Sequence, residues 1–133
     1  MMGLDTNVII RYLAQDDDKQ SAIATQIIET QLNENNQGFI SLIVLVEIIW
    51  VLKSCYKQTK TDLYPIIENI LGTKQFMVEQ SGSAYRALRK WKNGNGDYSD
   101  ALIAVISRDN KCTETLTFDK KAASLGMKLI SMD

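Results

Sequence analysis

Residues 1–14 read MMGLDTNVIIRYLA. The apolar run Met1-Met2-Gly3-Leu4 stops on a carboxylate, Asp5, and Thr6 opens a stretch in which Val8, Ile9, Tyr12 and Leu13 recur at helical spacing. A short buried strand that ends in an acid and passes straight into a helix is the building unit of a parallel α/β fold. The unit recurs along the chain. Residues 38–40 form a strand before Ser41, a favoured cap, and a strongly apolar helix to about Tyr56. Residues 75–79 form a strand before a helix over 83–92. Residues 115–118, TLTF, end on Asp119 before a short helix, 120–125, stopped by Gly126, and residues 128–131 are a last strand.

Helices fill the intervals. The acidic turn 16–18 opens a helix over 19–35 with Ala22, Ile23, Ile27, Ile28 and Leu32 on one face, and Asn35-Asn36-Gln37-Gly38 stops it. Further helices are expected over 61–71 and, after the breaker Asn93-Gly94-Asn95-Gly96, over 98–110. Five short strands alternating with helices predict an α/β three-layer sandwich around a central five-stranded parallel sheet. Ligands of such sheets bind beyond the carboxyl ends of the strands. Asp5 and Asp119 fall at that edge by their place in sequence.

A chain of 133 residues, 45% hydrophobic and 23% charged, reads as one domain spanning 1–133. Its net charge of −1 means that a polyanion must be held by a local basic patch or a metal. Cys55 and Cys112 form no CxxC pair and read as reduced, packed residues of a cytoplasmic protein. Asp5 interrupts the N-terminal apolar stretch, so no signal peptide is expected. The apolar segment 39–52 is too short to span a bilayer and contains Glu47. With no histidine in the chain, Ser-His-Asp and Cys-His triads and His-based zinc sites are excluded. Neither GxxxxGK[ST] nor GxGxxG occurs, which removes P-loop and dinucleotide readings.

What remains are carboxylates in costly places. Glu47 is the only charge in SLIVLVEIIWVL, residues 41–52, and its helical neighbours are Ile43, Val44, Trp50 and Val51. That pattern predicts burial. Asp100 begins the apolar run ALIAVI. Each acid also has an ordinary reading. Asp5 and Asp119 could cap the helices that follow them, and Asp97-Tyr98-Ser99-Asp100 resembles an acidic capping box. Glu47 could be a stray exposed glutamate, although it lies too far past Ser41 to cap. These readings treat the acids singly, whereas the α/β topology brings Asp5, Glu47, Asp100 and Asp119 toward one edge. A cluster of carboxylates without histidine suits a hard divalent cation, Mg²⁺ or Mn²⁺. Such an ion orients a phosphodiester and generates a nucleophile from water. Thr6 and Asn7 are candidates to orient Asp5 or bind substrate, and Arg11 to reach a phosphate. Arg86, Arg89, Lys90 and Lys92 form a basic stripe that reads either as a solvated face or as a phosphate contact. Trp50 and Trp91 read as packing residues.

These segments resemble the motifs of a known family. Gly3-Leu4-Asp5-Thr6-Asn7-Val8 is similar to the opening motif of PIN domains, and Ser41 to Glu47 to their second acidic motif. Asp97-Tyr98-Ser99-Asp100-Ala101-Leu102-Ile103-Ala104 resembles their D-x-x-D-A-L-I-A segment, and Thr117-Phe118-Asp119 their closing motif. The four motifs stand in order across essentially the whole chain, and its compact form is similar to the VapC toxins of type II toxin–antitoxin modules. The resemblance implies the sheet order 3-2-1-4-5 and a Mg²⁺- or Mn²⁺-dependent endoribonuclease. It implies Asp5, Glu47, Asp100 and Asp119 as catalytic and metal-site acids, with Asp97 as a further candidate. RNA as substrate, a homodimer and a co-encoded antitoxin are implied with it. The alternative is an RNA-binding or scaffold PIN domain without turnover; the intact acid set weighs against it. A receiver-like phosphoacceptor would need an acid pair at the first strand and an aspartate in mid-sheet. Asp5 stands alone there, and the third strand offers Glu79.

Overall fold

Three short strands pair in parallel in the order β1-β2-β3: Met2–Gly3, Gly38–Ile40 and Phe76–Val78. The register sets Met2 against Gly38 and Gly38 against Phe76. A second parallel pair joins β4, Leu116–Thr117, to β5, Lys128–Leu129. The structure is a computed structural model of residues 1–133. The chain divides into two compact units, Met1–Ser81 and Gly82–Asp133.

The α/β class is as expected, and so are the neighbours 3-2-1 and 4-5. The single five-stranded sheet is not observed: the strands form one sheet of three and one of two, with no ladder from β1 to β4. Strand length is the physical reason. Met2 and Leu4 direct their N–H groups at Gln37 and Phe39, at 3.0 and 2.9 Å, so of β1 only Gly3 faces the other edge. The first strand and the segment around β4 are also less buried than the apolar runs suggested. Met2 is 39% exposed, Leu116 57% and Phe118 69%, whereas Ile40, Phe76 and Val78 are buried.

In the first unit α1, Thr6–Ala14, packs on α2, Asp18–Gln26, and on α3, Leu42–Ser54. After α4, Lys60–Gly72, the chain enters β3. Ile9, Ile28, Leu45, Ile48, Leu52 and Ile67 are the heart of this core. The helix expected over 19–35 ends its α-helical part at Gln26 and closes with a π-helical turn, Ile27–Gln31. The buried face runs through positions 21, 24 and 28 at ordinary helical spacing rather than through the expected Ala22, Ile23 and Ile27. Ser21, Ala24, Ile28 and Leu32 are buried, and Ile23 is left 58% exposed. Gly38 admits no side chain here: a Cβ would stand 2.5 Å from Leu4 Cδ1 and 2.8 Å from Leu32 Cδ1.

The second unit holds α5, Ser81–Lys92, α6, Tyr98–Asp109, and the short α7, Lys120–Ala123, beside β4 and β5. Trp91 and Tyr98 pack edge to face at 5.6 Å, and the buried Tyr98 hydroxyl donates to the Ala84 carbonyl at 2.8 Å. The packing role expected of Trp91 is thereby met. Leu125 lies over the Gly94–Gly96 loop, where a Cβ at residue 96 would come within 2.6 Å of it. The cysteines are free, as expected, but both are exposed rather than packed. No helix is long and apolar enough to cross a membrane.

Asp109 ties α6 to α5. Its carboxylate accepts from Arg86 at 2.7 and 2.9 Å and from the Ser83 hydroxyl at 2.6 Å. The Arg86 guanidinium, then Ser83, hold its pKa down at about 2. A depressed carboxylate pKa stabilises the fold above the unfolded-state value of about 3.9, and the gain is lost as pH falls through the folded value. Asp109→Asn should therefore lower the melting temperature at pH 7. Thermal melts across pH should show the deficit closing between about pH 4 and pH 2; a deficit unchanged at pH 2 would assign it to packing.

Candidate functional site

Ser41 caps α3, accepting from the Val44 N–H at 3.2 Å. Glu47, further along, is exposed, as are Ile43 at 73% and Trp50 at 64%. The burial expected of Glu47 and the packing expected of Trp50 are therefore corrected. The helix is apolar nearly all round but buries one face, Leu45, Ile48, Ile49 and Leu52, while Ile43, Glu47 and Trp50 recur at i, i+4 and i+7 on another.

Asp5 is exposed at the start of α1, and its Oδ1 accepts the Thr6 N–H at 2.8 Å. Because α1 packs on α3, Asp5 and Glu47 line one open cleft of about 460 Å³, together with Thr6, Asn7, Arg11 and Tyr56. Thr6 is only 8% exposed, and its hydroxyl has no hydrogen-bond partner. Buried polar atoms are nearly always paired, so this hydroxyl beside the cleft is an exception that the protein leaves incomplete. Arg11 is braced rather than loose. Its Nε donates to Gln20 Oε1 at 2.8 Å and its Nη1 to Asp16 Oδ1 at 3.3 Å. The Tyr56 hydroxyl donates to Asp16 Oδ2 at 2.7 Å, a bond that holds the Asp16 carboxyl below the usual carboxylate range and pushes the Tyr56 phenol up. Sequence reasoning missed Asp16 and Tyr56. They stand 40 positions apart, and no periodicity couples them.

The other acids belong to the second unit. Asp97 and Asp100 form a reciprocal capping box at the start of α6, in which the Asp97 N–H donates to Asp100 Oδ2 at 3.0 Å. Gly96 suits the position beside it, because a Cβ there would lie 2.9 Å from the Lys121 carbonyl oxygen and 3.1 Å from that same carboxylate oxygen. Asp119 Oδ1 accepts the Lys121 N–H at 2.9 Å and caps α7, while its own N–H donates to Thr117 Oγ1 at 3.0 Å. Thr117, which reads in sequence as a mere strand residue, shapes the turn that presents Asp119. Arg86 is engaged by Asp109 and Ser83, whereas Arg89 is exposed.

No group of three or more His, Cys, Asp or Glu side chains stands ready to hold a metal ion. The acids meet in pairs, Asp5 with Glu47 on the cleft and Asp97 with Asp100 in the capping box. The cleft nevertheless fits a hard cation chemically. Two carboxylates and one unpaired buried hydroxyl are oxygen donors of the kind Mg²⁺ and Mn²⁺ take.

Residues 2–128 match the PIN domain family, and the chain belongs to it. The VapC ribonuclease of Aquifex aeolicus (strain VF5) is similar along nearly its whole length: 26% identical over 131 residues, covering 98% of this chain and 96% of that protein. No solved structure gives a significant match.

The orphan hydroxyl yields a stability test. An unsatisfied buried polar group costs about 1–3 kcal/mol, and valine keeps the shape of threonine without the hydroxyl. Thr6→Val should leave the metal-free protein as stable as the wild type or more so, by up to about that amount. Thermal melting in chelator reads this directly, and a clear loss would mean that the hydroxyl is bonded in the metal-free state.

Proposed function

We propose that this chain acts, as one PIN domain over residues 1–133, as a Mg²⁺- or Mn²⁺-dependent endoribonuclease. In this reading it is the toxin of a type II toxin–antitoxin module. The observation that carries the reading is the pairing of Asp5 and Glu47 on one cleft with the orphan Thr6 hydroxyl. It occurs in a chain that matches the PIN family from residue 2 to 128 and resembles a VapC ribonuclease along its length.

In this reading Asp5, Glu47, Asp100 and Asp119 hold the metal, and Asp97 supports Asp100. The bound ion would supply charge neutralisation at a backbone phosphate and a nucleophile from water at neutral pH. The protein groups do the rest. Asp5 is fixed by the Thr6 N–H, so one carboxylate oxygen is held while the other stays available. The Thr6 hydroxyl can donate to a phosphate oxygen. Arg11, held in place by Gln20 and Asp16, presents a cation to the same phosphate. A carboxylate not fully engaged can accept the proton of the attacking water. Asn7 and Arg89 complete the candidate RNA contacts, while Arg86 would first have to leave Asp109. A homodimer, a cytoplasmic location and inhibition by a cognate antitoxin follow from the same reading.

Purified protein should cleave RNA with Mg²⁺ or Mn²⁺ and stop in chelator. Asp5→Asn and Asp100→Asn should each lower the rate by at least the roughly 10–100-fold that losing a metal site's outer partners costs. Cleavage unchanged in chelator, or in both variants at equal protein levels, would remove the metal-nuclease account.

The capping box sharpens the roles of its two acids. Asparagine caps about as well as aspartate, so a residue that only caps survives the change. Asp97→Asn should therefore cost less activity than Asp100→Asn in the same assay. Equal losses would give both carboxylates a direct part in metal or water binding.

A further inference from the structure

Beside the acidic cleft runs a second groove of about 220 Å³, lined by Asn7, Val8, Arg11, Gln20, Ile23 and Ile27. It shares Asn7 and Arg11 with the Asp5–Glu47 cleft, so the two lie side by side along α1. The volume is below that of ordinary small-molecule sites and suits a single flat ring. Its walls are aliphatic. Ile23 is 58% exposed there, beside the exposed Ala22 and the buried Ala24. Its polar groups are two amides. The Gln20 Oε1 is taken by Arg11 Nε at 2.8 Å, which leaves the Nε2 donor of the same amide for a ligand. Asn7 is exposed at the junction and offers both a donor and an acceptor.

We propose that this groove is a subsite for one unstacked RNA base adjoining the phosphate held at Asp5 and Glu47. The inference deepens the nuclease reading and rests on it. A base has two apolar faces and an edge of hydrogen-bonding groups. Sequence-selective RNA recognition splays out single-stranded bases and hydrogen-bonds their edges. Ile23, Val8 and Ile27 supply the apolar wall. Asn7 and the Gln20 donor face the edge, amides being side chains suited to base edges. Arg11 joins the two parts: it braces Gln20 for the base and carries positive charge for the neighbouring phosphate. The groove would hold a base only from a single strand or loop, because a base inside a duplex is stacked on both faces.

The test uses the Asp5→Asn protein, so that bound RNA is not cleaved, and compares a short single-stranded RNA with an abasic oligomer of the same length. Intact bases should tighten binding on the order of tenfold, the scale of one stacked base. Ile23→Ser should abolish that difference, and Ile23→Leu, which keeps an aliphatic wall, should retain it. Because Ile23 is exposed, the exchange tests the wall rather than the core. Equal binding of both oligomers, or an Ile23→Ser protein that still prefers bases, overturns the proposal. Loss of antitoxin binding in Ile23→Ser with base preference intact does so too, and reassigns the groove to a peptide. The wild type separates the two readings. RNA cleavage with no base preference sinks the subsite alone, whereas a wild type that neither cleaves nor binds RNA sinks the nuclease reading with it.

Discussion

A helix begins with backbone N–H groups that have no carbonyl to bond, and something must accept from them. At α1, α6 and α7 that need is met by acids. Asp5 accepts from Thr6, Asp119 from Lys121, and Asp97 and Asp100 satisfy each other's backbone at the start of α6. The strands are two or three residues long, so the chain passes from sheet to helix almost at once. The positions of Asp5 and Asp119 are therefore set by a backbone requirement, each two residues past a strand end. Fold and candidate chemistry depend on the same few bonds.

This double duty is possible because a carboxylate has more acceptor positions than a cap uses. One oxygen of Asp5 takes the Thr6 N–H, and one of Asp119 takes the Lys121 N–H. The remaining lone pairs stay available. The two readings of these aspartates, cap and ligand, are thus not rivals. The cap orients the group, and a cation would use what the cap leaves over. Replacement by asparagine separates the roles, because it keeps the cap and removes the charge.

Much of this was legible in the sequence. The strand-to-helix unit at residues 1–14, the Ser41 cap and the acidic capping box at Asp97 and Asp100 follow from local rules of spacing and capping, and the structure repeats them. What escaped was set by contacts remote in sequence. Ile23 was placed on a buried face with Ala22, but the face that packs runs through Ser21, Ala24 and Ile28, and only the neighbouring helices decide which side of α2 they cover. Arg86 read as part of a basic stripe, yet its partner, Asp109, is 23 positions away. The Tyr56–Asp16–Arg11 network has the same character. Side-chain pairs of this kind leave no periodic trace.

Glu47 reverses the usual argument about a charge in an apolar segment. Its sequence neighbours suggested a buried carboxylate whose cost demanded a cation. The structure instead exposes it, between Ile43 and Trp50 on an outer face of α3. An exposed carboxylate has no desolvation penalty to offset. Its pairing with Asp5 is therefore a matter of geometry, since α1 packed on α3 directs both acids to one cleft. Like charges facing one another across open solvent are tolerated through hydration and screening. Burial thus does not force a cation into this cleft. What favours one is the convergence of two anions with the unpaired hydroxyl of Thr6, the one group there whose bonding the protein leaves incomplete.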